Sequence, residues 1–153
     1  MTESKYEKYI VRRPAIMGKG GKLEFPEKIH TEGKVDTGPL VWRSPELIKE
    51  TNSYLEHGII SGDIIVGEDS LGGIEKSHKH DNFSEIFLFV GTNPSDPTDL
   101  GAEAEFYLGG GEEQEKIIIN TSSSIYIPPG MAHFPLTWKK VKRPCILVVA
   151  RCC

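Results

Sequence analysis

No stretch of this 153-residue chain approaches the roughly 18 consecutive apolar residues that a membrane-spanning helix needs. The opening residues, MTESKYEKYIVRRP, also lack the apolar core segment of a secretory leader. Together these two absences set the expectation of a cytoplasmic protein with no membrane partner. Cysteine is scarce as well: the three present are Cys145, Cys152 and Cys153. An odd number crowded at one end excludes the framework of a disulfide-stapled scaffold. The adjacent pair could bind metal or oxidise, but its first reading is an incidental exposed tail. Positive charge is not concentrated either. The net charge is −4, and the most basic stretch is KKVKR, Lys139 to Arg143. A nucleic-acid binder shows a broader basic footprint, so KKVKR reads as a solvated strand end and no nucleic-acid partner is expected.

Helical pattern is scarce too. The best case is SPELIKETNSYLEHG over 44–58. Ser44 could cap it, Pro45 suits the first turn, Glu46 complements the positive N-terminal end, and Gly58 could end it. Only Leu47 and Leu55 give it an apolar face, which predicts a short helix.

What is present suits one globular domain. Apolar residues make up 38% and charged residues 26%, too apolar for a disordered chain. A chain of this length can build one sizeable core. Sixteen glycines and ten prolines cut it into short pieces. Between them lie runs rich in Ile, Val, Phe and Tyr: GIISGDIIVG at 58–67, EIFLFV at 85–90, AEFYLG at 104–109, KIIIN at 116–120, SIYIP at 124–128 and CILVVA at 145–150. Such runs predict strands, and many short strands with regular turns predict an all-β sandwich or barrel. The first forty residues read as irregular chain with one or two edge strands. The expected organisation is an N-terminal arm over 1–45 packing on a β-barrel domain over 46–153.

The chemistry concentrates in HKHDNFSE, residues 78–85. Alternate strand residues face the same way, so His78 and His80 can grip one ion. Glu85 follows His80 at an odd spacing and cannot share their face on an unbroken strand. The DNFS segment must therefore bend and return it. Glu85 then opens a strand whose inward face also carries Phe87 and Phe89. A carboxylate there is costly unless it is paired or bound to metal. Further on, IPPGMAHFPL at 127–136 sets His133 after a Pro-Pro-Gly turn. Taken singly, each histidine is more ordinary as a surface or core residue. Together the four donors form a mixed N/O set suited to Fe, Mn, Ni, Co or Zn.

Two motifs carry a family resemblance. Residues 72–91, GGIEKSHKHDNFSEIFLFVG, read as Gly72, five residues, His78-x-His80, four residues, Glu85, five residues and Gly91. This resembles the first motif of the cupin superfamily, which usually has six residues before its last glycine. PPGMAH at 128–133 resembles the centre of the second motif, Pro-x-Gly-x-x-His. Ser122 stands where that motif has a glycine, and Thr137 where it often has asparagine. The two motifs span somewhat under half the chain.

The resemblance implies an antiparallel jelly-roll β-barrel, with the short helix and the irregular arm attached. It implies one divalent transition metal held by His78, His80, Glu85 and His133. It also implies a homodimer, paired through edge strands or an exchanged N-terminal arm. Candidate pocket residues are Phe87, Phe89, Tyr107, Tyr126, Phe134 and Trp138, each of which would equally serve as plain core. They form a largely apolar wall suited to a small aromatic or carboxylated substrate. Arg43 and His57 are further candidates for substrate contact or acid/base work, with a surface charge and a helix-end histidine as their plainer readings. NPSDPTDLG at 93–101 is a rim excursion, either a gate or a solvated linker. Cupins with the full ligand set resemble dioxygenases, decarboxylases, isomerases and lyases alike. The expected function is a metal-dependent enzyme acting on a small organic substrate by oxygenase or lyase/isomerase chemistry. The alternative is a non-catalytic ligand-binding module whose metal is structural or orients a ligand.

Overall fold

The structure is a computed structural model that describes residues 5–17, 22–25, 40–66 and 76–152. Eleven strands follow in order: β1 (Ala15–Met17), β2 (Leu23–Glu24), β3 (Leu40–Arg43), β4 (Tyr54–Ile60), β5 (Ile64–Val66), β6 (Ser84–Val90), β7 (Asp99–Leu108), β8 (Glu115–Thr121), β9 (Ser123–Ile127), β10 (His133–Lys139) and β11 (Cys145–Cys152). They form two antiparallel sheets, one in the order β2-β1-β3-β4-β11-β6-β9 and the other β5-β10-β7-β8. Among the described residues no pairing joins the two sheets into a closed ring. The expected barrel is therefore an open two-sheet jelly roll.

Strand alternation builds the core. Phe87 and Phe89 of β6 meet Phe106 of β7 and Trp138 of β10 across the gap, at ring-centroid distances of 5.0 Å for Phe87–Phe106 and 5.5 Å for Phe89–Trp138. Leu100, Ala104, Ile119, Leu136, Cys145, Leu147 and Val149 fill in around them. Each large side chain buried there contributes roughly 1.5–3 kcal/mol relative to exposure. β1, β2 and β3 extend the larger sheet outward from β4.

The helix expected over 44–58 is not formed. Residues 44–48 make a single turn, with the Leu47 and Ile48 amides donating to the Ser44 carbonyl. Thr51 and Ser53 then tie the chain locally, as the Ser53 amide donates to the Thr51 hydroxyl at 3.1 Å. From Tyr54 the chain pairs residue for residue with β11, from Tyr54↔Arg151 to Ile60↔Cys145. A seven-residue ladder with neighbours on both sides outweighs the modest helical preference of Leu55 and Glu56.

The last glycine of the first motif has a steric reason. A Cβ on Gly91 would lie 2.0 Å from the Asp99 carbonyl oxygen, inside the backbone of the β6–β7 connection. The NPSDPTDLG stretch leads into β7 at the far end of β6 from Glu85, roughly 17 Å along the strand. It is held by turns in which Asn93 and Asp96 accept from the amides two residues on. That position suits the linker reading and not a gate over the histidines.

Candidate metal centre

The two motifs meet through the backbone before their side chains do. His78 and His133 exchange a pair of hydrogen bonds, His78 N to His133 O at 3.1 Å and His133 N to His78 O at 2.9 Å. The Pro-Pro-Gly turn supports this bridge, because the Gly130 amide donates to the His80 carbonyl at 2.7 Å. Gly130 has φ of +81°, a left-handed conformation that glycine adopts without steric cost. Residues 81–82 bend as the spacing required, and Lys79 pairs with Asp81 in solvent at 3.4 Å. Glu85 then returns inward on β6.

His133 and Phe134 are both buried, although neighbours on a regular strand face opposite ways. The pairing of β10 with β7 shifts register between His133 and Leu136, and Phe134 has φ of 79°. This bulge turns two successive side chains into the interior.

The donor atoms converge. One ligating nitrogen each from His78, His80 and His133 lies within 4.8 Å of the others. Glu85 Oε2 stands 2.9 Å from His133 Nε2 and 3.6 Å from His80 Nε2. Two donors each about 2.1 Å from one ion, at right angles, would stand about 3 Å apart, so the Glu85 spacings fit a shared ligand sphere. Glu85 is 3% exposed and His133 1%, while His78 and His80 reach the surface.

The protonation pattern sharpens the fit. His133 Nδ1 lies 3.2 Å from the Met131 carbonyl, and His78 Nδ1 lies 3.2 Å from the Lys76 carbonyl. Each ring can donate its Nδ1 proton to that oxygen, which leaves Nε2 as a bare lone pair. His133 Nε2 and Glu85 Oε2 then face each other as two acceptors. Although the pair is 2.9 Å apart, neither atom has a hydrogen bond of acceptable direction. A cation between the two atoms would satisfy both.

The surroundings favour the ligating forms. Burial lowers the pKa of His78 and of His80, more than the Lys76 carbonyl raises the first and Glu85 the second, so both rings stay neutral below the ordinary histidine range. Burial pushes the Glu85 carboxyl up, yet its polar contacts, the Arg151 guanidinium among them, outweigh it and hold the group below its usual value. Arg151 Nε donates to Glu85 Oε1 at 2.9 Å, which occupies one carboxylate oxygen and leaves the other for the histidines.

Of the six candidate wall residues, Phe87 and Phe134 ring the histidines. Phe87 lies 5.7 Å from His133, and Phe134 lies 5.2 Å from His78. Phe89 and Trp138 pack together deeper in the core. Two corrections follow. Tyr126 is 60% exposed, because it alternates away from its inward neighbours Ile125 and Ile127. Tyr107 pairs with Lys116 on the outer face, while Phe106 beside it points in. Arg43 is exposed, and His57 lies on the outer face of its sheet. There it accepts a hydrogen bond from Trp42 Nε1 at 2.8 Å, away from the histidine cluster. Cys145 is buried, which pushes its thiol up to about 11. Cys152 is exposed, and Cys153 and Gly72 lie outside the described residues.

Four residues near the site escaped the sequence reading: Tyr54, Phe83, Phe106 and Arg151. Arg151 left a signal. It shares strand parity with Cys145, Leu147 and Val149, so a charged group follows three apolar ones on the inner face.

Two antiparallel sheets thus enclose a donor set drawn from both motifs, with Glu85 and His133 buried between them. The fold is a jelly roll, and its donor set draws on both of the motifs that resemble those of cupins. No protein-family model and no curated protein sequence matches the chain. Among solved structures, the chain is similar to oxalate oxidase in complex with the substrate analogue glycolate, at 13% identity and a TM-score of 0.46, over 70% of this chain and 46% of that one. It is similar to hydroxypropylphosphonic acid epoxidase from S. wedmorenis at 13% identity and a TM-score of 0.44, over 73% of this chain and 48% of that one. It is also similar to KdgF from Halomonas sp. at 10% identity and a TM-score of 0.43, over 74% and 76% of the two chains. The chain spans about half the length of the oxalate oxidase chains it matches. Among the described residues, no helix is long and apolar enough to cross a membrane.

Proposed function

We propose that this protein is a metal-dependent enzyme that transforms a small organic molecule by oxygenase or lyase/isomerase chemistry. In this reading one divalent ion (Fe, Mn, Ni, Co or Zn) is held by His78, His80, His133 and Glu85. The observation that carries it is the pair of buried atoms Glu85 Oε2 and His133 Nε2, 2.9 Å apart and neither with a hydrogen bond of acceptable direction. Bound there, the ion supplies a Lewis acid that polarises a substrate oxygen or acidifies water, or, as iron, supports oxygenase chemistry.

The protein does the rest. The Met131 and Lys76 carbonyls fix the tautomers of His133 and His78. Arg151 orients Glu85 so that a single oxygen faces the histidines. Phe83, Phe87, Phe106 and Phe134 keep water from the buried side. A second copy of the chain belongs to this reading. Ile59, Leu88 and Tyr126 are exposed on the outer face of the larger sheet, where a partner would cover them.

Elemental analysis of the purified protein should find roughly one transition metal per chain. The His80→Ala/His133→Ala double variant should lose it, and a double variant that keeps stoichiometric metal would sink the site. Metal-loaded protein should turn over a member of a panel of catechols, keto acids and small thiols, tested with O₂ for iron. Bound metal with no turnover under any ion would instead favour a ligand-binding module. Sedimentation should show a dimer, and a monomer would remove that part of the reading.

A further inference from the structure

Arg151 has one edge committed and one edge open. Its Nε donates to Glu85 Oε1, while no described residue accepts a hydrogen bond from either Nη group. Its guanidinium carbon lies over two rings, 4.5 Å from the Tyr54 centroid and 5.2 Å from that of Phe83. Stacking of this kind costs the guanidinium its rotational freedom in advance, so an incoming partner finds the fork already aimed. The side chain is 29% exposed, close to the 26% of His80. Phe83 joins the two, since its ring also stacks on His80 at 4.5 Å. Arg151 and the histidine cluster therefore flank the same ring, and both reach the surface. Glu85 lies between them, with Oε1 on Arg151 Nε and Oε2 turned to the histidines.

The charges of this corner point the same way. Glu85 and Arg151 cancel as a pair, and the imidazoles are neutral when they ligate. Glu56, on the inner face beside Val149, accepts from the Tyr54 hydroxyl and adds at most one negative charge. A divalent ion then leaves the corner net positive, with aromatic walls that weaken screening. A neutral substrate would leave the fork unsatisfied, whereas a carboxylate would accept two parallel N–H bonds from it.

We infer that Arg151 is a substrate-binding residue, and that the substrate class is a small carboxylate, held on the Nη groups beside the metal centre. This rests on the metal reading above, and its test separates the two. Metal content is measured first. Binding of pyruvate and of its uncharged counterpart pyruvamide to the metal-loaded protein is then followed by calorimetry. Loss of a bidentate charge-assisted pair should weaken pyruvate by roughly 10- to 100-fold in Arg151→Gln and leave pyruvamide within about two-fold.

Arg151→Lys keeps a charge beside Glu85 but has no second N–H edge. It should hold metal and still bind pyruvate several-fold more weakly, and it provides the readout if Arg151→Gln fails to load. Pyruvate affinity unchanged in the metal-loaded variants would overturn the inference. So would an equal loss for both probes, which would make Arg151 a support for Glu85 alone. Absence of pyruvate binding to metal-loaded wild type would also overturn it. Absence of metal from the wild type would instead overturn the metal reading.

Discussion

The two ends of this jelly roll are built from the same strands and do opposite things. At one end Phe89, Leu100, Trp138 and Cys145 close the gap between the sheets with apolar side chains. At the other, the same strands deliver Glu85, His133 and Arg151, and two buried acceptor atoms face each other unsatisfied. β6 runs through both regions, with Glu85, Phe87 and Phe89 successive on its inner face. The difference shows where stability is made and where it is spent. A buried carboxylate and imidazole in mutual repulsion are costly to keep without a cation, and the apolar end offsets that cost.

Substitutions at the two ends should therefore separate stability from metal binding. The largest effect on stability is expected at the apolar end. Trp138→Ala removes a side chain that is 1% exposed and should destabilise the fold by about 3–5 kcal/mol, read by chemical denaturation. The protein that remains folded should still bind metal. Loss of metal with little loss of stability would reverse the assignment of the two ends.

Glu85→Gln should do the opposite. The amide can donate to His133 Nε2 and still accept from Arg151, so the metal-free variant should be about 1 kcal/mol more stable than metal-free wild type. It should also lose stoichiometric metal. A variant that is strongly destabilised without metal would mean that the carboxylate is structural. The smallest effect belongs to the exposed pair at the far end, where Arg143 bonds Asp99 beside the β6–β7 connection. Arg143→Gln should change stability by no more than about 1 kcal/mol and leave metal content as it is.

Much of the site was legible because its residues are local and periodic. His78, His80, the bend and Glu85 lie within eight residues, and their parity alone required the turn that is observed. Gly91 was legible as part of a motif, and its reason is steric. The tyrosines were misread because a strand's face depends on register. AEFYLG admits Phe106 or Tyr107 as the inward residue, and a shift of one flips every side chain. The bulge at His133 and Phe134 settles the register of β10, and with it the face of β7. The helix over 44–58 was misread for a related reason. Its local signals were real, but they were weaker than a ladder to β11, nearly a hundred residues away in sequence.

By itself the sequence determined the all-β architecture, the four converging donors and the absence of a membrane-spanning apolar run. These follow from composition, alternation and short-range spacing. Only the tertiary structure decided that Arg151 stands behind Glu85 and over the Phe83 and Tyr54 rings, and that Phe106 is inside while Tyr107 and Tyr126 are outside. Each of these depends on which strands lie side by side and in what register. Such pairing is set by packing the whole core at once, and no local window of residues contains it.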